Sequence, residues 1–400
     1  MNILFLCNKS PYPPKEGGPM AMNANIEGLL NAGHKVKVIA LNTNKYFIRD
    51  SEIPESYKEK TGLELVYKNL SVKPTDALLN LFSKKSYHVQ RFIFRGFEIA
   101  IEEALKKEKF DIVQLEMLYM TPYMKIIRAH SDAKIILRSH NIEHLIWERI
   151  TINTVNPLKK YYLGYLTRKL KAYELEMLNS YDGIVTISDK DADYYRNNGC
   201  TIPLTDLPFG VDLSGYETKN AKYEFPSLFH IGSMNWMPND EGIKWFMDNT
   251  WDLVHKKFPS LKFYLAGRMM PDWLINLNKE NVEVIGEVDN ARDFINSKAI
   301  MIVPLFSGSG IRIKIIEGMA LGKTVISTRI GAEGIEYTNG KNILIANTPG
   351  EFLEAITKCT TSKNYCDEVG TKARQLIDKK HNIKNLVAKL EAFYLKVLEN

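Results

Sequence analysis

The sequence predicts an α/β protein of two doubly wound domains facing each other across a cleft, and three observations predict it. Strand signals alternate with helical patterns from end to end. The halves open alike, with a strand, a loop holding Gly and Pro, a helix and a second strand: NILFLCNKSPYPPKEGGPMAMNANIEGLLNAGHKVKVIA, then SLFHIGSMNWMPNDEGIKWFMDNTWDLVHKKFPSLKFYLAG. Between them PFGVDLSGYETKNAKYEFP is polar, rich in turn formers and without a period, as an interdomain linker should be.

Taken in order, the strands of the first half are NILFLC, HKVKVIAL, FDIVQLE, AKIILRS and DGIVTIS. Those of the second are SLFHIG, LKFYLAG, VEVIG, AIMIVPL, TVIST and NILIA. Their apolar, β-rich composition suits strands covered on both faces of a parallel sheet. Near the end, Ile383, Leu386, Val387, Leu390, Phe393, Tyr394, Val397 and Leu398 fall at helical spacing. The expected organisation is an N-terminal domain over 1–210, a linker over 211–225, a C-terminal domain over 226–380, and a helix over 381–400 at the domain junction.

Composition narrows the function. The 400 residues are 45% hydrophobic and 25% charged, ordinary for a globular chain with a sizeable core. A net charge of +6 suits anionic substrates or an anionic membrane surface and is far from a nucleic-acid-binding composition. Cys7, Cys200, Cys359 and Cys366 show neither a CxxC pair nor a framework spacing, which points to four free thiols in a reducing cytoplasm, without disulfides or zinc. MNILFLCNK enters an apolar run without a charged leader, and no run approaches the ~18 to 20 residues of a spanning helix, so the chain is expected to be cytoplasmic.

Residues 299–328, AIMIVPLFSGSGIRIKIIEGMALGKTVIST, are the most informative stretch. A strand leads to Gly308 and Gly310, whose missing side chains let backbone N–H groups approach a ligand, and a helix predicted over 311–321 begins there and favours an anion. Arg312, Lys314 and Glu317 ride on that helix; Gly322 ends it. The first-domain loop SPYPPKEGGP offers Gly17 and Gly18 for similar close approach, or for a turn with positive φ. It lacks the GxGxxG spacing of a dinucleotide dehydrogenase. Asp189, Asp191 and Asp193 mimic a metal-binding Asp-x-Asp, but they follow a strand at a helix start, where capping and dipole complementation account for them. The segment 156–178 mixes lysines, arginines and tyrosines; it suits either peripheral contact with the inner membrane surface or a solvated helix packed by one face.

On these residues the chain resembles the GT-B fold retaining glycosyltransferases of family 4, the group 1 glycosyltransferases. The carriers are Gly17 and Gly18, SHNIE at 139–143, IVTIS at 184–188, PFGVD at 208–212, IGSMNWMPNDEG at 231–242 and GSGIRIKIIEGMALGKTVIST at 308–328, spread over nearly the whole length. The resemblance implies two Rossmann-like domains, the C-terminal helix crossing toward the N-terminal one. It further implies a nucleoside-diphosphate sugar as donor, a glycan or lipid-linked acceptor on the N-terminal domain, no required cofactor or metal, and retention of configuration, as in hexosyl transfer for cell-surface polysaccharide.

Carried onto this chain, Glu317 matches the acid that reads the ribose hydroxyls, a task two carboxylate oxygens perform well. Alternatively it is an exposed helix acid beside Lys314. Ser309 stands where the family's first acid would meet the donor sugar. The cations usual after the first C-terminal strand are replaced by Ser233, Met234, Asn235 and Trp236, leaving Arg312 and Lys314 to hold the diphosphate. His140 matches a histidine near the reacting centre; a buried histidine satisfied by backbone is the plainer alternative. Arg138, Glu143 and Glu116 are acceptor-side candidates, Glu287 borders the nucleobase, and Trp236 either lines the cleft or packs between domains. An epimerase on the same scaffold and a non-catalytic nucleotide-sugar-binding protein are the alternative functions.

Overall fold

The computed structural model describes residues 1–14, 17–71, 80, 83, 85–216, 223–308 and 311–399. The chain forms two compact units, one of Met1–Gly210 with Ile383–Asn400 and one of Val211–Asn382. Ser309, Gly310 and part of the expected linker lie outside the described residues.

In the first unit, the strands are β1 (Asn2–Cys7), β2 (Lys35–Thr43), β3 (Glu64–Lys68), β4 (Ile112–Glu116), β5 (Lys134–Ser139), β6 (Gly183–Thr186) and β7 (Leu204–Asp206). They form a parallel sheet in the order β3-β2-β1-β4-β5-β6-β7. Ile3 stands between Val36 and Ile112, in register with both. The order reverses beside β1, and a doubly wound sheet exposes its crevice at the carboxyl ends there. β3 and β7 are absent from the sequence expectation. They are the edge strands, ELVYK and LTD, half-exposed and too polar or too short to carry a buried-strand signal.

One face of this sheet is closed by the helix Ile383–Leu398. Its Ile383, Leu386, Val387, Leu390, Phe393, Tyr394 and Val397 join Ile3, Phe5, Ile112, Ile136 and Val185 in one apolar cluster. The helix Gly17–Asn31 lies against it so closely that a Cβ on Gly28 would come within 2.5 Å of Val387 Cγ2. The helix is thus part of the first unit's core.

In the second unit, β8 (Ser227–Ile231), β9 (Lys262–Ala266), β10 (Val282–Gly286), β11 (Ile300–Val303), β12 (Thr324–Ser327) and β13 (Leu344–Ile345) form a parallel sheet in the order β10-β9-β8-β11-β12-β13. β8 and β11 are buried along their whole length; β11 is an unbroken apolar run, whereas β8 also buries Ser227 and His230. No helix of the described residues is long and apolar enough to cross a membrane.

Candidate active site

The second unit gathers cations at the carboxyl ends of its central strands. His230, buried near the end of β8, bonds through Nδ1 to the Ile302 carbonyl at 2.8 Å, so Nδ1 carries the proton and Nε2 is left as an acceptor. Lys314 Nζ lies 3.4 Å from that Nε2 and donates to Asn239 Oδ1 at 2.7 Å. The Asn239 amide in turn donates to the Ser233 carbonyl at 2.8 Å. Gly232 makes this approach possible, since a Cβ there would stand 2.4 Å from Lys314 Nζ. Burial, and then the neighbouring Arg312, lower the Lys314 ammonium to a pKa of about 7. Both of these hydrogen-bond partners are neutral and neither offsets the ammonium charge, in keeping with the lowered pKa.

The helix expected over 311–321 is Ile313–Ala320, and Arg312 precedes it with extended backbone, φ −87° and ψ 94°. Instead of riding on the helix, Arg312 is buried with its guanidinium carbon 5.3 Å above the Trp236 ring. Trp236 therefore has a packing partner within its own unit. Gly308 (φ +99°) presses on both: a Cβ there would come 3.0 Å from Arg312 Nη2 and 3.1 Å from Trp236 Cζ2. Ser309 and Gly310, which the sequence offers as backbone donors, follow directly and lie outside the described residues.

Glu317, one turn beyond Lys314, is mostly buried and is not the exposed partner of Lys314 that helix spacing allows. Tyr216 OH donates to its Oε1 at 3.2 Å, and the Arg292 guanidinium lies 4.3 Å over the Tyr216 ring. Burial raises the Glu317 carboxyl, with the Tyr216 bond and the Arg292 charge opposing it. The Tyr216 phenol is pushed up to about 12 by burial and then by Glu317. One donor leaves a carboxylate spare acceptor sites, which suits a ligand bearing hydroxyls. Sequence reading missed Tyr216, Arg292, His230 and Asn239. Tyr216 falls in the stretch taken as linker, and Arg292 has no local signature. Glu287 follows β10 and pairs with Arg268 at 3.0 Å, both side chains being exposed. Arg268 is thus a cation beyond β9 that the sequence did not single out.

The first unit holds a buried polar network at the ends of β4 and β5. His140 Nε2 meets Glu116 Oε2 at 2.5 Å; Gln114 donates to Glu116 Oε1 at 2.6 Å; Arg138 Nη1 stands 3.5 Å from the same carboxylate. Arg138 also donates to the Ala21 carbonyl at 3.2 Å, and the Asn25 amide, with its oxygen turned toward the guanidinium, accepts at 3.2 Å. Tyr394, from the helix Ile383–Leu398, donates to Gln114. Burial pushes the Glu116 carboxyl up, but Arg138 and the His140 and Gln114 bonds outweigh it and hold Glu116 below its ordinary value. Burial dominates for His140 and lowers it despite Glu116. A neutral His140 donating from Nε2 to an ionised Glu116 follows, with Nδ1 as the remaining acceptor.

Glu116 and Arg138 have no exposed surface, so neither is placed to meet an acceptor directly, as sequence reading expected; they orient His140. The plainer alternative for His140, satisfaction by backbone, is replaced by a carboxylate partner. Gly17 and Gly18 stand in the first turn of the helix Gly17–Asn31, and Gly18 has no positive φ, so at Gly18 the close-approach reading fits better than the alternative of a turn with positive φ. Glu143 is buried and accepts from Tyr119 OH at 2.6 Å; burial raises it to about 7. Its N–H and that of His144 both donate to the Glu174 carboxylate at 3.0 Å.

Ser188 Oγ caps the helix Asp189–Asn197 by accepting from the Asp191 N–H, and Asp193 pairs with Arg196 at 2.7 Å. Among the described residues no group of three or more His, Cys, Asp or Glu side chains could hold a metal ion.

Comparison with known proteins bears on both units. Residues 24–214 match the family described as Glycosyltransferase Family 4, and residues 225–362 match the one described as Glycosyl transferases group 1. An uncharacterised 44.6 kDa protein from the cps region of Klebsiella pneumoniae is 24% identical over 97% of this chain and 98% of its own. Sucrose-phosphate synthase from Thermosynechococcus elongatus superimposes with a TM-score of 0.68 at 13% identity, covering 100% of both chains. HepE from Anabaena in complex with UDP gives 0.65 at 12% identity, covering 98% of this chain and 99% of that one.

Proposed function

Because this chain belongs to the group 1 glycosyltransferases and has the GT-B fold, we propose that it moves a sugar from a nucleoside diphosphate to a hydroxyl of a glycan or lipid-linked acceptor, with retention of configuration. The observation that carries the reading is the segment Arg312–Glu317, which offers two cations for phosphates and a mostly buried carboxylate for hydroxyls. The Anabaena neighbour's complex with UDP supports a nucleotide donor, and the cps-region relative supports a place in cell-surface polysaccharide synthesis.

In the proposed reaction the bond between the anomeric carbon and the diphosphate breaks, and Lys314 and Arg312 stabilise the charge that develops on the leaving oxygen. The acceptor hydroxyl attacks the face the diphosphate leaves, and its proton passes to a phosphate oxygen. Neither cation has to move a proton for this. Glu317 holds the ribose in the second unit; in the first, His140, oriented by Glu116, is the candidate for polar contact with substrate.

A thermal-shift panel of UDP, GDP, ADP and CMP with their sugars, followed by an assay for acceptor-dependent nucleotide release, tests the reading. Isomerisation of a nucleotide sugar without any acceptor would replace it with an epimerase. Binding without turnover across a broad acceptor set would replace it with a binding protein.

A further inference from the structure

The basic, aromatic segment 156–178 becomes a helix, Pro157–Glu176, paired with the helix Glu143–Asn153 in a hairpin. Most of its length is committed to the first unit. Leu166 and Leu170 are buried, Lys169 donates to the Asn80 carbonyl at 2.6 Å, and Lys171 faces Glu148 at 3.6 Å. The end of the hairpin is different. Ile152, Val155, Leu158 and Tyr161 are 67%, 95%, 84% and 76% exposed, within ten residues of chain. Lys159 and Lys160 lie among them, and residues 150–162, ITINTVNPLKKYY, contain no acid.

The hairpin end is held in shape from within. Asn156 caps the second helix by accepting from the Lys159 N–H at 3.0 Å, Lys160 Nζ donates to the Ile152 carbonyl at 2.9 Å, and Thr151 meets Thr167 at 3.3 Å. The apolar side chains therefore project from an ordered support. Isolated exposed apolar residues need no explanation, but a cluster of four with two cations and no acid is an interaction surface. So few side chains fall well short of the ~800 Å² per partner of a stable protein interface. A bilayer asks for less: a few apolar side chains at the headgroup boundary with lysines on the lipid phosphates.

We propose that this hairpin end is a membrane foot: Ile152, Val155, Leu158 and Tyr161 enter the headgroup region of an anionic bilayer while Lys159 and Lys160 hold its phosphates. The inference goes beyond the transfer reaction and does not depend on it.

Co-sedimentation of the full chain with vesicles of phosphatidylcholine and phosphatidylglycerol, against phosphatidylcholine alone, tests it without any nucleotide. The chain is expected to partition onto the anionic vesicles, and less so at high salt. Val155→Glu with Leu158→Glu should lower partition by about tenfold or more, and Lys159→Gln with Lys160→Gln by a smaller factor that disappears on neutral vesicles. Val155 and Leu158 are exposed, so the melting temperature of their variant should not move, whereas Lys160→Gln also removes the bond to the Ile152 carbonyl and its melt is read beside its partition. Equal sedimentation of wild type and the Val155/Leu158 variant would overturn the proposal. So would a wild type that ignores anionic vesicles, or one that forms a dimer abolished by the same variant, which would assign the patch to a second copy of the chain.

Discussion

Lys314 and Glu317 stand one turn apart on the same helix and do not pair: the ammonium turns to Asn239 and the carboxylate to Tyr216. Opposite charges at this spacing would ordinarily meet. Held apart, they can serve two parts of one ligand, a phosphate and a pair of hydroxyls.

Replacing Glu317 with Ala should weaken nucleotide binding by roughly 10- to 100-fold, the worth of charge-assisted hydrogen bonds to a ribose. Tyr216→Phe should cost less, because it removes only a support. Calorimetric titration with the nucleotide found in the panel measures both, and unchanged affinity in Glu317→Ala would remove Glu317 from the ribose.

The pKa of Lys314, about 7, makes a pH prediction with a definite sign. In the unfolded chain a lysine titrates near ~10.4, so between these values the unfolded state binds more protons and stability rises with pH. The burden of the buried charge is fully present below pH 7. Lys314→Met should therefore stabilise the free chain at neutral pH by on the order of 1 kcal/mol or more while losing nucleotide binding. Binding to wild type at pH 8 should take up a proton, seen as a dependence of the binding heat on buffer ionisation enthalpy; heats independent of buffer would contradict the assignment.

Gly232→Ala tests the close approach directly. Its added carbon would stand 2.4 Å from the Lys314 ammonium and 2.8 Å from the Asn239 amide. Side-chain tips can yield, so the melting temperature should fall by only a few degrees, but nucleotide affinity should drop by about tenfold as Lys314 is displaced. A variant with wild-type affinity would show that Lys314 need not sit there.

His140→Ala should leave nucleotide affinity intact and lower turnover by about tenfold or more. Glu116→Gln goes further, since it leaves the Arg138 guanidinium buried without its carboxylate, and should destabilise the chain by about 3 kcal/mol. Denaturant melts of both variants beside initial rates separate the two effects, and a His140→Ala enzyme of full turnover would leave His140 a structural role.

Glu143 gives the opposite pH sign. Its folded value of about 7 lies above the ordinary carboxyl range, so its contribution to stability is complete below ~4.3 and is lost as pH rises through 7. Glu143→Gln should flatten that part of the stability profile and raise stability at pH 8, as thermal melts across the range would show.

The sequence made the central strands and the Arg312–Glu317 segment legible because both are local. Buried strands announce themselves as apolar runs, and the glycine loop, cations and acid lie within ten residues. The edge strands β3 and β7 were not legible, since half-exposed strands need no such run. Tyr216 and Arg292 reach Glu317 from 101 and 25 positions away in sequence. Only the packed chain brings them together, and Tyr216 was further hidden in a polar stretch read as linker. His140 was legible as a strand-end histidine. Its partner Glu116 was visible too, but as a ligand contact, because a sequence does not say which of two strand-end residues is covered.

The helix Ile383–Leu398 sets an order on the making of this protein. The sheet β1–β7 is synthesised within the first 210 residues, yet the helix that covers one of its faces leaves the ribosome only after the whole second unit. Ile3, Phe5 and Val185 must wait, shielded by something else, through some 170 residues of further synthesis. The second unit, in contrast, is contiguous and can close as soon as it emerges.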